Sequence, residues 1–266
     1  MHFTPKKIAL GIVIVIEVII FCVLIQWQFR GRVLNTVHVK QQSTATVFIP
    51  GFGGNAASTN DFINQYSWHN VATKSLRIYI SKKNHISTMK QYHPIVKNNP
   101  MVQLIFQDDL HPHRQAAQMI YAMHYLYKKY HIKKVNFIGH SSGGNIAFDY
   151  MIHNPHAKQV PTPVKLVTIG ANYAPNDPLV KNLPKGLHIL NIAGEIYNSK
   201  TDGEVPNKIV KPMGKLVRKH VGKYRYYVYS SNPMSAEHSM LHENPSLDKI
   251  IAEFLWNNEY PAGSEK

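Results

Sequence analysis

Three side chains in this sequence stand in an order that supports nucleophilic acyl chemistry. A serine sits inside Gly139-His-Ser-Ser-Gly-Gly144, a carboxylate inside Thr201-Asp-Gly-Glu-Val-Pro206, and a histidine inside Ala236-Glu-His-Ser-Met-Leu-His242. A serine hydroxyl is a weak nucleophile until a base within hydrogen-bond reach takes its proton, and the base in turn needs a carboxylate to orient it. Serine, then acid, then histidine is the chain order found where the nucleophile sits on a strand-to-helix turn. The pattern predicts Ser141 as nucleophile, Asp202 as acid and His238 as base.

Two of these assignments have a competitor. Glu195 is the alternative acid, but a short carboxylate in a glycine-containing turn suits the imidazole better, and Glu204 reads as a solvated neighbour. His242 is the alternative base, placed on the way into the last helical stretch. The chain has 16 histidines, so most must be unrelated to catalysis. His140, His111 and His113 read as packing or surface residues, and His111-Pro-His113 lacks the further ligands of a zinc site. Cys22 is the one cysteine, which leaves no disulfide and no thiolate metal site. Acyl transfer through serine requires no metal and no organic cofactor.

Gly-x-Ser-x-Gly alone is weak, arising by chance on the order of 0.1 times in a chain of this length at ordinary glycine and serine frequencies. Its setting makes it strong. The β-branched, apolar Val135-Asn-Phe-Ile138 precedes it and a helical pattern begins at Asn145, which is the strand, sharp turn and helix that a nucleophile elbow needs. The oxyanion of acyl transfer needs two fixed donors. The Ser142 amide follows the nucleophile directly. The second is expected at Phe52, because Gly51, Gly53 and Gly54 around it let the backbone approach a substrate.

The elements that must hold these loops follow from periodicity. Short apolar runs predict strands at residues 44–49, 75–80, 101–107, 134–138, 164–169, 187–192 and 224–229. Helical spacing predicts helices at 114–130, 145–152 and 246–256. Strands alternating with helices imply an α/β fold with a mostly parallel sheet covered on both faces, and loops at the carboxyl ends of its strands carry the chemistry. Only a short, proline-bearing stretch joins the strands ending near Ile169 and starting near Leu187, so no large lid is expected.

The 266 residues suffice for one large domain, and 44% hydrophobic against 17% charged residues excludes a largely disordered chain. From Ile8 to Ile25 the chain is apolar apart from Gly11 and Glu17. As a helix this run reaches about 27 Å, close to a bilayer's hydrocarbon thickness. It reads as an uncleaved signal anchor, with Lys6 and Lys7 on the inner side, Glu17 protonated or paired, and the domain outside the cell. The expected organisation is anchor 1–32, linker 33–43, domain 44–258 and tail 259–266. The formal charge of +15 points to an anionic partner such as a cell-wall polymer. The basic residues are scattered, which argues against specific nucleic-acid binding.

Val47 to Gly54, Gly139 to Gly144, Asp202 to Pro206 and His238 to Leu241 together resemble the α/β-hydrolase superfamily. More narrowly, the chain resembles the Gram-positive cell-surface α/β-hydrolases grouped as a family of unknown function. The likeness runs over roughly residues 44–256 and includes Gln107-Asp108, Leu166-Val-Thr-Ile-Gly170, Asn191-Ile-Ala-Gly194 and His238-Ser-Met-Leu-His-Glu-Asn-Pro245. It implies the triad Ser141, Asp202 and His238 in an anchored or exported protein, and it implies no particular substrate. Two departures stand out: Pro50 where histidine is common, and Ser142 where methionine is common, the second altering the acyl pocket. The expected activity is hydrolysis of a small-molecule or lipid-like ester. Acyl transfer by the same residues, or a catalytically silent module that binds an anionic polymer or protein, are the alternatives.

Overall fold

The computed structural model describes residues 4–174 and 176–263. Residues 1–3 of the expected anchor, Pro175 and residues 264–266 of the expected tail lie outside the described residues. Eight strands form one sheet: β1 Ala45–Ile49, β2 Thr73–Ile80, β3 Ile86–Gln91, β4 Pro100–Phe106, β5 Lys134–His140, β6 Thr162–Ile169, β7 His188–Ile196 and β8 Lys223–Ser231. Their order is β3-β2-β4-β1-β5-β6-β7-β8. All neighbours pair in parallel except β2 with β3. This is the mostly parallel, helix-covered sheet expected.

The central strands are buried on both faces, and their sequences divide between two cores. Ala45, Val47 and Ile49 of β1 face one layer, while Phe48 between them faces the other. The first layer is covered by α3 (Pro112–Tyr130), α4 (Ser142–His153) and the short helices α5 (Asn207–Val210) and α6 (Met213–Val217). It takes Met119, Met123, Ile146, Ile152, Val210 and Met213. The second is covered by α2 (Asn60–Trp68) and α8 (Pro245–Ala252). There Phe48, Phe62, Tyr66 and Trp256 pack in sequence with ring centroids 5.2, 5.2 and 5.3 Å apart.

Several elements were not expected: β3, α2 and the short helices α5, α6 and Pro233–Ala236. The last helical stretch also stops early, passing at Glu253–Asn257 into a wider π turn. At the other end, α1 (Pro5–Arg30) carries the described residues' one run long and apolar enough to cross a membrane, with mean hydropathy 2.8. Its apolar side chains from Leu10 to Ile25 are exposed. At its foot Arg30 Nη2 donates to Met234 O at 3.3 Å and to Ser235 Oγ at 3.2 Å. A 3-10 turn, Gly31–Thr36, follows directly, and its Leu34 is fully buried in the second core. The stretch 33–43, expected as a linker, therefore begins with a core side chain.

Candidate active site

The turn between β5 and α4 is fixed by sterics before any chemistry is considered. Ser141 has φ +51° and ψ −130°, a backbone conformation that costs an L-residue roughly 1–3 kcal/mol and that persists only where surroundings impose it. They do so here. A Cβ on Gly139 would lie 2.2 Å from the Gly143 carbonyl carbon, and one on Gly143 would lie 2.3 Å from Ile49 O. Ser141 N donates to Ile169 O at 2.8 Å, tying the turn to the end of β6. Gly-x-Ser-x-Gly thus serves the close packing of a bent backbone against β1 and α4.

The loop after β7 brings Asp202 under the sheet's carboxyl edge, and the turn after α7 (Pro233–Ala236) brings His238 over it. Asp202 Oδ1 accepts from the amides of Glu204 at 3.0 Å and Val205 at 2.6 Å, and Oδ2 accepts from His238 Nδ1 at 2.8 Å. The His238 amide also donates to Asp202 O at 2.9 Å. Asp202 is fully buried, and His238 is 4% exposed. With Nδ1 carrying the proton toward Asp202, Nε2 presents its lone pair to the cleft, the tautomer a general base needs. Burial pulls the His238 pKa down, but the hydrogen bond and charge of Asp202, then Glu204 and Glu237, outweigh it and hold the pKa above the ordinary value.

Gly170 and Gly194 close this pair in from the ends of β6 and β7. Gly170 has φ +60°, and a Cβ there would lie 3.0 Å from the His238 ring and 3.1 Å from Asp202 Oδ2. One on Gly194 would lie 2.8 Å from the Asp202 Cβ. Both positions belong to the motifs carrying the family resemblance, and the spacing alone gave them no role.

Ser141, His238, Phe52 and Glu204 line one cleft of about 450 Å³, together with His140, Pro50, Gly51, Ser58, Ser239 and His242. In the loop after β1, Gly53 N donates to Asp109 O at 2.8 Å and Gly54 N to Gly51 O at 3.0 Å. The amides beyond Phe52 thus hold the loop's shape. The Phe52 side chain is 64% exposed at the mouth. Ser142 starts α4, and its Oγ is buried with no hydrogen-bond partner.

The competing residues fall elsewhere in role. Glu195 Oε2 accepts from Asn207 Nδ2 at 3.1 Å, away from the imidazole. His242 is a largely buried part of the cleft wall with its ring 4.3 Å from that of His140, and burial, with the charge of His238, takes its pKa down to about 4. His140 is likewise held well below the ordinary value, by burial and then by His242 and His238. Both are neutral spacers at neutral pH. Glu204, expected as a solvated neighbour, is exposed but stands in the cleft with Oε2 3.8 Å from His238 Nε2. His111 and Arg114 pair with the buried Asp108 at 2.5 and 2.9 Å, a structural clasp at the end of β4.

The sequence profile of the family described as "Alpha/beta hydrolase of unknown function (DUF915)" matches residues 34–182 and 176–258. The chain belongs to this family. Among solved structures, a gene product of Listeria innocua superposes with TM-score 0.70 at 22% identity, covering 83% of this chain and 96% of that one. A protein of Lactobacillus plantarum described as a cell-surface hydrolase gives TM-score 0.64 at 20% identity, covering 80% and 89%. At these identities the likeness establishes the fold. No curated protein matches the sequence. The family match begins at residue 34, so the buried turn around Leu34 lies within the family's domain.

Proposed function

We propose that this α/β hydrolase cleaves esters through an acyl-enzyme at Ser141. The observation that carries the reading is the hydrogen bond of 2.8 Å from His238 Nδ1 to the buried Asp202, in the same cleft as a serine held in a strained elbow. His238 Nε2 takes the Ser141 proton as Oγ bonds to the substrate carbonyl carbon. The carbonyl oxygen becomes an oxyanion held by the amides of Phe52 and Ser142. His238 then gives the proton to the departing alkoxide, leaving an acyl-serine. Water, deprotonated by the same nitrogen, releases the acid and regenerates Ser141. Asp202 keeps His238 oriented and stabilises its cation. These steps require no cofactor.

The apolar α1, read with the resemblance to cell-surface hydrolases, supports a single-pass protein of the cell membrane, its domain on the outer side. The open cleft and exposed Phe52 suit a small or lipid-like ester.

The intact protein in detergent should react with a fluorophosphonate probe, and Ser141→Ala, folded to the same extent, should not. Equal labelling of the two proteins, or none of the wild type, would sink the assignment. Hydrolysis of p-nitrophenyl esters of graded acyl length then reads out the acyl preference.

A further inference from the structure

β2 carries one extra residue where it pairs with β4. Lys74 lies opposite Met101 and Leu76 opposite Val102, so Ser75 between them is a bulge. In a regular strand, residues three apart point to opposite faces. The bulge cancels that alternation and sets Lys74 on the face of Arg77. At the other edge of β2, Arg77 stands directly opposite Lys90 of β3, and a cross-strand pair shares one face. Ser75 O also accepts from the Tyr92 amide at 2.8 Å, which brings that ring in beside all three cations. Lys74 Nζ lies 4.7 Å, Lys90 Nζ 4.8 Å and the Arg77 guanidinium carbon 5.9 Å from the ring centre.

Like charges directly opposite one another on a sheet are destabilising, and here they are compensated only in part. The acceptors are uncharged amide oxygens. Lys74 Nζ donates to Asn60 Oδ1 and Asn64 Oδ1, both at 2.7 Å, and Arg77 donates through Nη2 to Asn60 Oδ1 at 3.2 Å and through Nε to Gln103 Oε1 at 2.7 Å. Burial, then the charges of Arg77 and Lys90, take the Lys74 pKa down to about 8. Within the described residues no carboxylate is among the partners of the three. One cation over a ring face is ordinary packing. A ring has two faces, and three cations share this one, so packing of Tyr92 does not account for the set. An anion seated among them would supply the missing charge. Among the described residues Arg77 Nη1 and Lys90 Nζ have no acceptor, so both can donate to it.

We propose that Lys74, Arg77 and Lys90 form a binding site for a phosphate group carried as a monoester or diphosphate. Such a group bears close to two negative charges at neutral pH and several strong acceptor oxygens, which suits donors converging from three side chains. A carboxylate has one charge and two oxygens. Lysine meets phosphate as a point charge and arginine through its planar fork. The phosphate could belong to a lipid headgroup or to a soluble ester. On the anchored reading the lipid lies within reach. α2 runs from Asn60 and Asn64, beside the cluster, to His69, whose Nδ1 bonds with Asn35 Oδ1 at 2.6 Å just past the foot of α1. From Asn64 to His69 the helix advances only about 8 Å.

The test reads Lys74 itself, in the full chain in non-ionic detergent at a pH near its pKa of about 8. There its amine reacts with trace acetic anhydride faster than an ordinary lysine, and a bound phosphate should both cover it and favour its ammonium form. Inorganic pyrophosphate is expected to slow acetylation of Lys74, located by mass spectrometry, by about fivefold or more, with Lys97 and Lys128 unaffected. In Lys90→Gln the concentration giving half-protection should rise about fivefold, and in Lys97→Gln it should stay put. The wild-type result stands even if Lys90→Gln does not fold. A lipid arm repeats the measurement in phosphatidylcholine nanodiscs containing phosphatidic acid or, as the carboxylate control, oleate. Protection by pyrophosphate or by phosphatidic acid supports the site, and the arm in which it appears gives the source. No protection in either arm would overturn the proposal. So would equal protection by sodium chloride at matched ionic strength or by oleate, or an equal rise in Lys97→Gln. None of these readings involves Ser141.

Discussion

His140 and His238 are joined across 98 residues of chain by one hydrogen bond, His140 Nε2 donating to the backbone oxygen of His238 at 2.9 Å. Their rings lie 4.6 Å apart. The residue before the nucleophile thereby holds the main chain of the candidate base, and the two loops whose registry matters for proton transfer are cross-tied at that point. Because burial keeps His140 uncharged, its one proton resides on Nε2.

Removing that tie should loosen the base and leave binding largely intact. His140→Ala is expected to lower kcat about tenfold, the kinetic equivalent of one hydrogen bond of roughly 1.4 kcal/mol, with a small effect on KM. His140→Gln, which retains a side-chain N–H, should recover part of the loss. Steady-state kinetics on a reactive ester distinguishes this from simple destabilisation, which would lower the amount of active enzyme for both variants alike.

The Glu204 carboxylate stabilises the His238 imidazolium across 3.8 Å. The base works only when neutral, so Glu204→Gln should lower the His238 pKa and move the acid limb of the kcat/KM profile to lower pH. The plateau at higher pH should change little. A limb that stays in place, or moves upward, would contradict the role given to Glu204.

Gly170 abuts both the His238 ring and Asp202 Oδ2 at positive φ. Gly170→Ala should therefore strain the backbone by about 1 kcal/mol and displace the Asp202–His238 pair. The expectation is a kcat loss of tenfold or more, alongside a melting temperature only a few degrees lower. Retained kcat in a folded variant would show that the pair has room to spare.

The elbow conformation is costly for serine and cheap for glycine. Ser141→Gly should raise the melting temperature while abolishing the proposed esterase activity, a trade of roughly 1 kcal/mol of stability against function. Calorimetry of the two proteins side by side tests it, and an unchanged or lowered melting temperature would place the strain elsewhere.

Asp248 is fully buried beneath α2, with neither carboxylate oxygen hydrogen-bonded. Burial, then the charges of Glu243 and Asp61, hold its pKa well above the ordinary value against the opposing pull of Arg30. Glu243 beside it is pushed up to about 8, by burial and then by Asp61. The folded state thus keeps protons that the unfolded chain gives up near the ordinary carboxylate pKa of about 4. Their contribution is complete below that pH and is lost as pH rises, for Glu243 up to about 8. Asp248→Asn should stabilise the fold by about 1–2 kcal/mol at pH 7 and have little effect below about pH 4. Denaturant titrations at both pH values read this directly.

The parts of the fold and site that were legible in sequence carry their own local signal. Ser141 announces itself through glycines that the elbow cannot do without, and the buried parallel strands through apolar, β-branched runs such as Ala45–Ile49. Asp202 and His238 followed from chain order. What escaped has no such signal. β3 is a half-exposed antiparallel edge without apolar alternation, and α2 is short, with a stripe of only Phe62, Ile63 and Tyr66. The role of Gly170 depends on a loop 32 positions or more downstream in sequence, and the His140–His242 stack on which two of 16 histidines happen to meet. Glu204 was visible as a charge, but its approach to His238 is a product of how the Asp202 loop turns.

Leu34 gives the N-terminal helix a mechanical meaning beyond attachment. A tether with slack lets its cargo tumble, so that any side of the domain can face the surface it is fixed to. Here α1 runs through the Gly31–Thr36 turn into a side chain wedged in the core, with Arg30 clasped to the Met234–Ser235 turn just before His238. On the anchored reading, the helix acts as a rigid stalk. Joined to the proposed ester hydrolysis, that stalk fixes the height and the heading of the cleft's mouth, and with them which esters lie within range.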